Sequence, residues 1–205
     1  MFKKVISKDA ENCLAILSKS QFINDFYLGG GTAMALQLGH RISNDLDFFS
    51  QKEFNTKILI QKIKKLGKFS VRGEEWGTLY GEFQKTKITF FYYPYPLLFP
   101  IKKFKGIKIA DMFDIACMKI DAISSRGIKK DFVDLYFMSQ KKGLPHLLKL
   151  FEKKYKSVNY NTIHILKSLV YFEDARRSPM PKMIKKCSWK NIERYFQKEV
   201  EKMMK

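Results

Sequence analysis

Apolar and polar positions along the chain change period several times, and each change marks an element. Residues 8–20 (KDAENCLAILSKS) put Leu14, Ile16 and Leu17 on one side, with Asp9 and Glu11 near the start, which is a helix pattern. Residues 25–28 (DFYL) read as a short strand running into three glycines. Residues 32–38 (TAMALQL) read as a helix with Thr32 as its cap. Residues 44–50 (NDLDFFS) alternate as a strand, and 54–66 place Ile58, Leu59, Ile63 and Leu66 at helical spacing. Between 69 and 93 the period shortens. β-Branched and aromatic runs broken by Gly73, Gly77 and Gly81 predict two or three antiparallel strands. A proline-containing loop (94–100) precedes a last short strand in KGIKIA (105–110). From there on the pattern is helical. Residues 111–125 open with Asp111 as cap and Asp114 in an acidic first turn. Residues 129–140 end at Gly143 and Pro145. Helices follow at 145–157, 161–172 and 188–203, with a basic loop at 176–187.

This order predicts an α+β protein. A mixed β-sheet flanked by helices occupies residues 1–110, and a helical C-terminal part, 111–205, packs on that core. With 205 residues, 45% hydrophobic and 15% aromatic, the chain can build a sizeable core and is no disordered segment. No apolar run approaches a membrane span, and YYPYPLLFPI (92–101) is interrupted by three prolines. The start, MFKKVISKDAENC, turns polar too soon for a secretory leader. Cys13, Cys117 and Cys187 lack CxxC spacing and read as reduced thiols of a cytoplasmic protein. His40, His146 and His164 lack metal-ligand spacing.

Charge adds a partner class. The formal net charge is +19, with paired lysines at 64–65, 102–103, 129–130, 141–142, 153–154 and 185–186. Such a surface favours polyanions, RNA or DNA above all, although charge alone gives affinity without specifying a function.

Against that background the stretch GGGTAMALQLGHRISNDLDFF (29–49) is unusual. Strand alternation turns Asp45 and Asp47 to one side and Leu46 and Phe48 towards the core. Two carboxylates this close repel and call for a cation. Hard oxygen ligands completed by a substrate phosphate suit Mg²⁺ or Mn²⁺, the ions of phosphoryl and nucleotidyl transfer. Gly30 and Gly31, between strand and helix, would let a triphosphate approach backbone N–H groups at a positive helix start. Thr32 adds a hydroxyl, and His40, Arg41 and Ser43 stand just before the aspartates, Arg41 able to neutralise a phosphate. Either half is a weak signal alone. Their combination in a strand–turn–helix–strand context is much stronger.

This stretch resembles the polymerase β-type nucleotidyltransferase pattern of an apolar residue, Gly-Gly or Gly-Ser, a gap, then Asp-apolar-Asp. The fuller string is similar to a narrower group, the AbiEii/AbiGii toxin family of nucleotidyltransferases, with its GGTxLxLxLGHRxSxDLDFF-like signature. A second patch, MKIDAISSRGIKKDFVDLYFM (118–138), resembles later motifs of that family: Lys119 matches the motif lysine, Asp131 the motif aspartate, and Asp134 follows one turn later. On its helix Lys119 borders an apolar stripe of Phe113, Ala116, Ile120 and Ile123, where an ammonium can reach phosphate oxygens.

The resemblance implies a nucleotidyltransferase-type sheet and an NTP-using, metal-dependent enzyme. In it Asp45 and Asp47 would hold metal, and Gly30, Gly31, Thr32, Arg41, Ser43 and Lys119 would bind the nucleotide. Asp131 would help activate the acceptor, completing a catalytic set of Asp45, Asp47, Lys119 and Asp131, with Arg126 and Asp134 as further candidates. It also implies a toxin of a bacterial toxin–antitoxin or phage-defence pair with a cognate antitoxin. The positive charge suits an RNA acceptor such as tRNA. One departure stands out. Many polymerase β-type enzymes carry a third carboxylate in a context like KVDFF, whereas here the segment is KITFF and Thr89 takes that place. Glu82 on the preceding strand is the candidate substitute, with Glu74 and Glu75 behind it. Without it, a one-metal mechanism remains, with Asp131 as base or base-orienter. Two other readings stay open: a nucleotide- or RNA-binding module that has lost catalysis, and nucleotidyl transfer to protein hydroxyls.

Overall fold

In a computed structural model covering residues 1–205, α1 (Lys8–Leu17) is capped by Ser7, whose side chain accepts from Ala10 N–H. The two-residue strand β1 (Tyr27–Leu28) leads through Gly29 into α2 (Gly30–Leu38). Next come β2 (Leu46–Ser50) and α3 (Thr56–Lys64), the latter capped by Asn55. The segment from 69 to 93 forms three strands: β3 (Phe69–Glu75), β4 (Thr78–Phe83) and β5 (Thr86–Tyr92). A hairpin, β6 (Lys102–Phe104) and β7 (Ile107–Ile109), precedes the helical part. That part comprises α4 (Met112–Ser125), α5 (Lys129–Lys142), α6 (Leu144–Lys154), α7 (Thr162–Ser168), α8 (Glu173–Arg177) and α9 (Trp189–Met204). The helix expected over 161–172 stops at Ser168, and the short α8 follows it.

The fold is α+β. Seven strands form one mixed sheet in the order β3-β4-β5-β2-β1-β7-β6. β3, β4 and β5 are an antiparallel meander, whereas β5 and β2 run parallel. That parallel register sets Asp47 beside Thr89 and Phe49 beside Phe91. The alternation expected of β2 holds: Leu46 and Phe48 are fully buried, and the Phe48 ring stacks on Phe90 with centroids 5.1 Å apart. A single cluster of 50 buried apolar residues runs from Val5 to Val200, so sheet and helical part share one core. No helix is long and apolar enough to cross a membrane.

α4 is the helix that positions most of the site. Asp111 caps it, accepting from Phe113 N–H at 2.9 Å, as expected. Asp114 does more than sit in the first turn. It is buried, accepts the N–H groups of Leu98 and Phe99, and pairs with the buried Lys154 at 2.9 Å. Lys154 also donates to Pro96 O at 2.6 Å. This buried pair fastens the proline loop to α4 and α6, and so fixes where Tyr93 enters the site.

Candidate functional site

A cavity of about 400 Å³ opens where the start of α2, β2, β5, α4 and α5 converge. It brings together most residues the sequence marks out: Gly30, Gly31, Arg41, Ser43, Asp45, Asp47, Lys119, Arg126 and Asp131 all line it.

The glycines make the first wall. Gly30 has φ +61°, and a Cβ there would strike Asp47 Oδ2; a Cβ on Gly31 would strike Arg41 Nη2. Only glycine therefore lets α2 begin this close to the acid and the guanidinium. The helix starts at Gly30 with Gly29 as its cap, two residues before the position expected from Thr32. Thr32 is a buried tie: its hydroxyl donates to Asp45 C=O at 2.5 Å and sits 2.9 Å from Ser43 Oγ. This corrects the expectation of a phosphate-binding hydroxyl. A side chain that caps a helix and one that holds the next loop look alike in sequence.

Two further ties fix the 39–44 loop. Ser43 N–H donates to Val5 C=O at 2.9 Å. On its other side the basic segment after α8 forms a bridge, with Ile42 N–H to Lys182 C=O and Ile184 N–H to His40 C=O, both 2.8 Å.

The acids divide into two sets. Asp45 is exposed and Asp47 half-buried, and neither forms an ion pair or side-chain hydrogen bond within the protein. Burial pushes the Asp47 carboxyl above its usual range; Lys119, Lys130 and Arg126 oppose the shift and Asp45 adds to it. Asp131 and Asp134 are the reverse case, fully buried and surrounded by cations. Arg41 grips Asp134 with two donors, Nε at 2.6 Å and Nη2 at 2.8 Å, and His40 Nε2 lies 2.8 Å from the same carboxylate. Lys119 Nζ bridges Asp131 at 2.7 Å and Asp134 at 2.9 Å. Burial works to raise the Asp134 pKa, but Arg41 and Lys119, with hydrogen bonds from Arg41 and His40, hold it well below the usual carboxylate range. Burial likewise works against a charged Lys119, and Asp134 and Asp131 reverse it, so its pKa is raised.

Arg41 and His40 are thus buried structural partners of Asp134, not free cations awaiting a phosphate. Lys119 retains one ammonium proton beyond its two partners. Asp131 Oδ2 is buried and accepts no hydrogen bond; Arg126 Nε approaches it only to 3.6 Å. Arg126 and Lys130 are the less buried cations of the cavity wall.

Thr89 lies level with Asp47 and lines the cavity, where a third acid would stand. Glu82 does not replace it. It pairs with Lys87 and Ser70 across the sheet, outside the cavity, and faces Arg72 at 3.5 Å. Glu74 is hydrogen-bonded by Thr56 away from the site. No group of three or more His, Cys, Asp or Glu side chains is placed to hold a metal ion. The donor set for a hard cation is therefore Asp45 and Asp47, with water and phosphate oxygens left to complete the shell.

Sequence reasoning missed the cavity's other half. Phe49, Phe91, Tyr93, Met118 and Asp121 also line it. The same alternation that points Asp45 and Asp47 inward points Phe49 inward as well. That signal was present, but the aromatic residues read as core.

Three comparisons bear on this geometry. The sequence model of the nucleotidyl transferase AbiEii toxin of type IV toxin–antitoxin systems matches residues 12–109. The chain is 39% identical to uncharacterized protein aq_aa25 of Aquifex aeolicus (strain VF5), over 97% of this chain and 98% of that one. Its fold is similar to MenT4, the nucleotidyltransferase toxin Rv2826c of Mycobacterium tuberculosis H37Rv, with TM-score 0.55 and 14% identity over 93% of this chain and 81% of that one. It is also similar to the antibiotic-resistance factor ANT(2'')-Ia, with TM-score 0.52 and 14% identity over 72% and 91%.

Proposed function

The chain belongs to the AbiEii nucleotidyl transferase toxin family, and we propose that it transfers a nucleotide from an NTP to an RNA acceptor, tRNA-like in kind, with Mg²⁺ or Mn²⁺ held at Asp45 and Asp47. The observation that carries this reading is the unpaired state of those two acids. They face one cavity without a cationic partner, and Asp47 carries its charge against burial. Such a pair fits a divalent cation, which when bound would neutralise triphosphate charge and polarise the phosphorus under attack.

The protein's own groups supply the rest. Gly30 and Gly31 keep the start of α2 clear for phosphate oxygens. Lys119 offers its remaining proton to the triphosphate, and Arg126 and Lys130 receive the β- and γ-phosphates from the opposite wall. An acceptor hydroxyl oxygen attacks the α-phosphorus. The bond to the β-phosphate breaks and pyrophosphate leaves. The hydroxyl proton passes to Asp131 Oδ2, the buried oxygen that has no other partner. Arg41, His40 and Asp134 hold Lys119 and Asp131 in place.

The net charge of +19 supports an RNA acceptor. The family's description as the toxin of a type IV system supports a cognate antitoxin, a growth-arresting action in the bacterial cytoplasm and a part in phage defence.

Incubation with α-labelled NTPs, Mg²⁺ and total tRNA tests the proposal. The intact protein labels RNA. Asp45→Ala and Asp47→Ala each lower labelling by on the order of a hundredfold or more and relieve growth arrest. Labelling that survives both substitutions contradicts the assignment. NTP binding without transfer would favour a binding module, the reading that Thr89 supports, and labelled protein in place of RNA would redirect the acceptor.

A further inference from the structure

The cavity changes character along its length. Successive inward residues of β2 are Asp45, Asp47 and Phe49, and those of β5 are Thr89 and Phe91, with Tyr93 just beyond. One end is therefore acidic and cationic, and the other aromatic. Phe49 stacks on Phe91 with centroids 5.0 Å apart at 20°, and Tyr93 meets Phe49 edge-on at 5.4 Å. Phe91 and Tyr93 remain partly exposed to the cavity. A surface of this kind takes the flat face of a base.

α4 spans both ends. At 100° per residue, Met118, Ala122 and Ser125 face the middle of the cavity. Lys119 and Arg126 flank that stripe on the side of Asp131. Asp121 flanks it on the other side, towards Tyr93 and Tyr155, whose hydroxyls are hydrogen-bonded to each other. The Asp121 charge is felt by both phenols, whose pKa values are raised chiefly by burial. Asp121 itself has no ion pair and no side-chain hydrogen bond, and burial raises its pKa. It is the acid of this cavity that lies at neither the Asp45–Asp47 pair nor the Asp131–Asp134 cluster.

We propose that Asp121 reads the base of the incoming nucleotide and selects guanine. This rests on the nucleotidyl-transfer reading above, with the triphosphate at the Asp45–Asp47 end and the base on the aromatic end. A carboxylate only accepts hydrogen bonds. Guanine presents two adjacent donors, N1–H and the N2 amino group, on its pairing edge. Adenine and cytosine place an acceptor next to their amino group, and uracil flanks its single N–H with two carbonyls. A site built to receive paired donors rejects bases that lack them, because the buried acceptor is left facing another acceptor.

Titration of the full-length protein with GTP, ATP, CTP and UTP in Mg²⁺ tests this directly, with circular dichroism confirming that each variant is folded. GTP is expected to bind more tightly than the other three by roughly tenfold or more. In Asp121→Ala that margin collapses, through weaker GTP binding rather than tighter binding of the others. Asp121→Asn, which replaces one acceptor with a donor, loses the margin too. Absence of a GTP margin in the intact protein overturns the inference, as does a margin that survives in Asp121→Ala. If transfer still depends on Asp45 and Asp47 while the margin ignores Asp121, the base assignment alone falls. If no NTP binds at all, the transfer reading falls with it.

Discussion

Two pairs of aspartates line or border the same cavity and are built in opposite ways. Asp45 and Asp47 sit at the start of a strand, one residue apart, with no cation of the protein in contact. Asp131 and Asp134 sit on the first turns of α5, buried, with Lys119 between them and Arg41 and His40 on Asp134. The second pair is neutralised by two permanent cations, Arg41 and Lys119, and stays ionised despite burial. The first pair keeps its charge at a cost. Acidic residues that the protein satisfies are scaffold. Those it leaves unsatisfied are where a ligand completes the structure. In this molecule the scaffold pair also supplies the site with Lys119 and with the one free oxygen of Asp131.

The largest effect is expected from the satisfied pair. Asp134→Ala leaves Arg41 and Lys119 buried with half of their counter-charge gone, a loss of about 3–5 kcal/mol. In a chain of this size that is a fall of roughly 6–20 °C in melting temperature, read by thermal denaturation. Gly30→Ala comes next. Its φ of +61° costs an L-residue about 1–2 kcal/mol, and its Cβ meets Asp47 Oδ2, so stability and nucleotide binding fall together. Asp47→Asn has the opposite sign. It removes a charge held against burial and stabilises the unliganded protein by about 1 kcal/mol at neutral pH while destroying function.

The two pairs also separate by pH. The Asp134 carboxyl titrates below its unfolded value in the folded protein, so its contribution is complete above about pH 4 and is lost as pH falls through the depressed folded value. The Asp47 carboxyl titrates above its unfolded value, so its ionisation penalises the fold at neutral pH, and that penalty lifts as pH falls through the raised value. Denaturation of the intact protein, Asp134→Asn and Asp47→Asn across pH 3–8 resolves the two signs. The smallest effect is expected at the position between them. Thr89→Asp places a third acid level with Asp47 and lowers the Mg²⁺ concentration needed for NTP binding by about threefold, measured by titration at fixed NTP.

The acidic pair, the glycine turn and the capped α4 were legible because each depends on local rules: alternation in a strand, backbone freedom at Gly30, an Asp at a helix start. The parallel register of β2 with β5 was not, because pairing between segments forty residues apart leaves no periodic trace. That register nevertheless decided that Glu82 lies outside the site and that Thr89 lies within it. The fate of Arg41 was equally hidden. A basic residue next to a phosphate motif reads as a ligand for phosphate, and only the fold brings Asp134, 93 residues away in sequence, into contact with it. Phe49 and Asp121 escaped notice because an aromatic on a strand and an acid on a helix are ordinary in both buried and functional surroundings.

The most direct test of the contrast is the melting temperature of the intact protein and of Asp47→Asn, each with and without Mg²⁺ and saturating NTP. The intact protein is expected to start lower and to gain about 2–3 kcal/mol of stability from a ligand at a hundred times its dissociation constant. Asp47→Asn is expected to start higher and gain little. A variant that starts lower than the intact protein, or one that gains as much from the ligand, would contradict the assignment of Asp45 and Asp47 as the pair that a cation and a triphosphate complete.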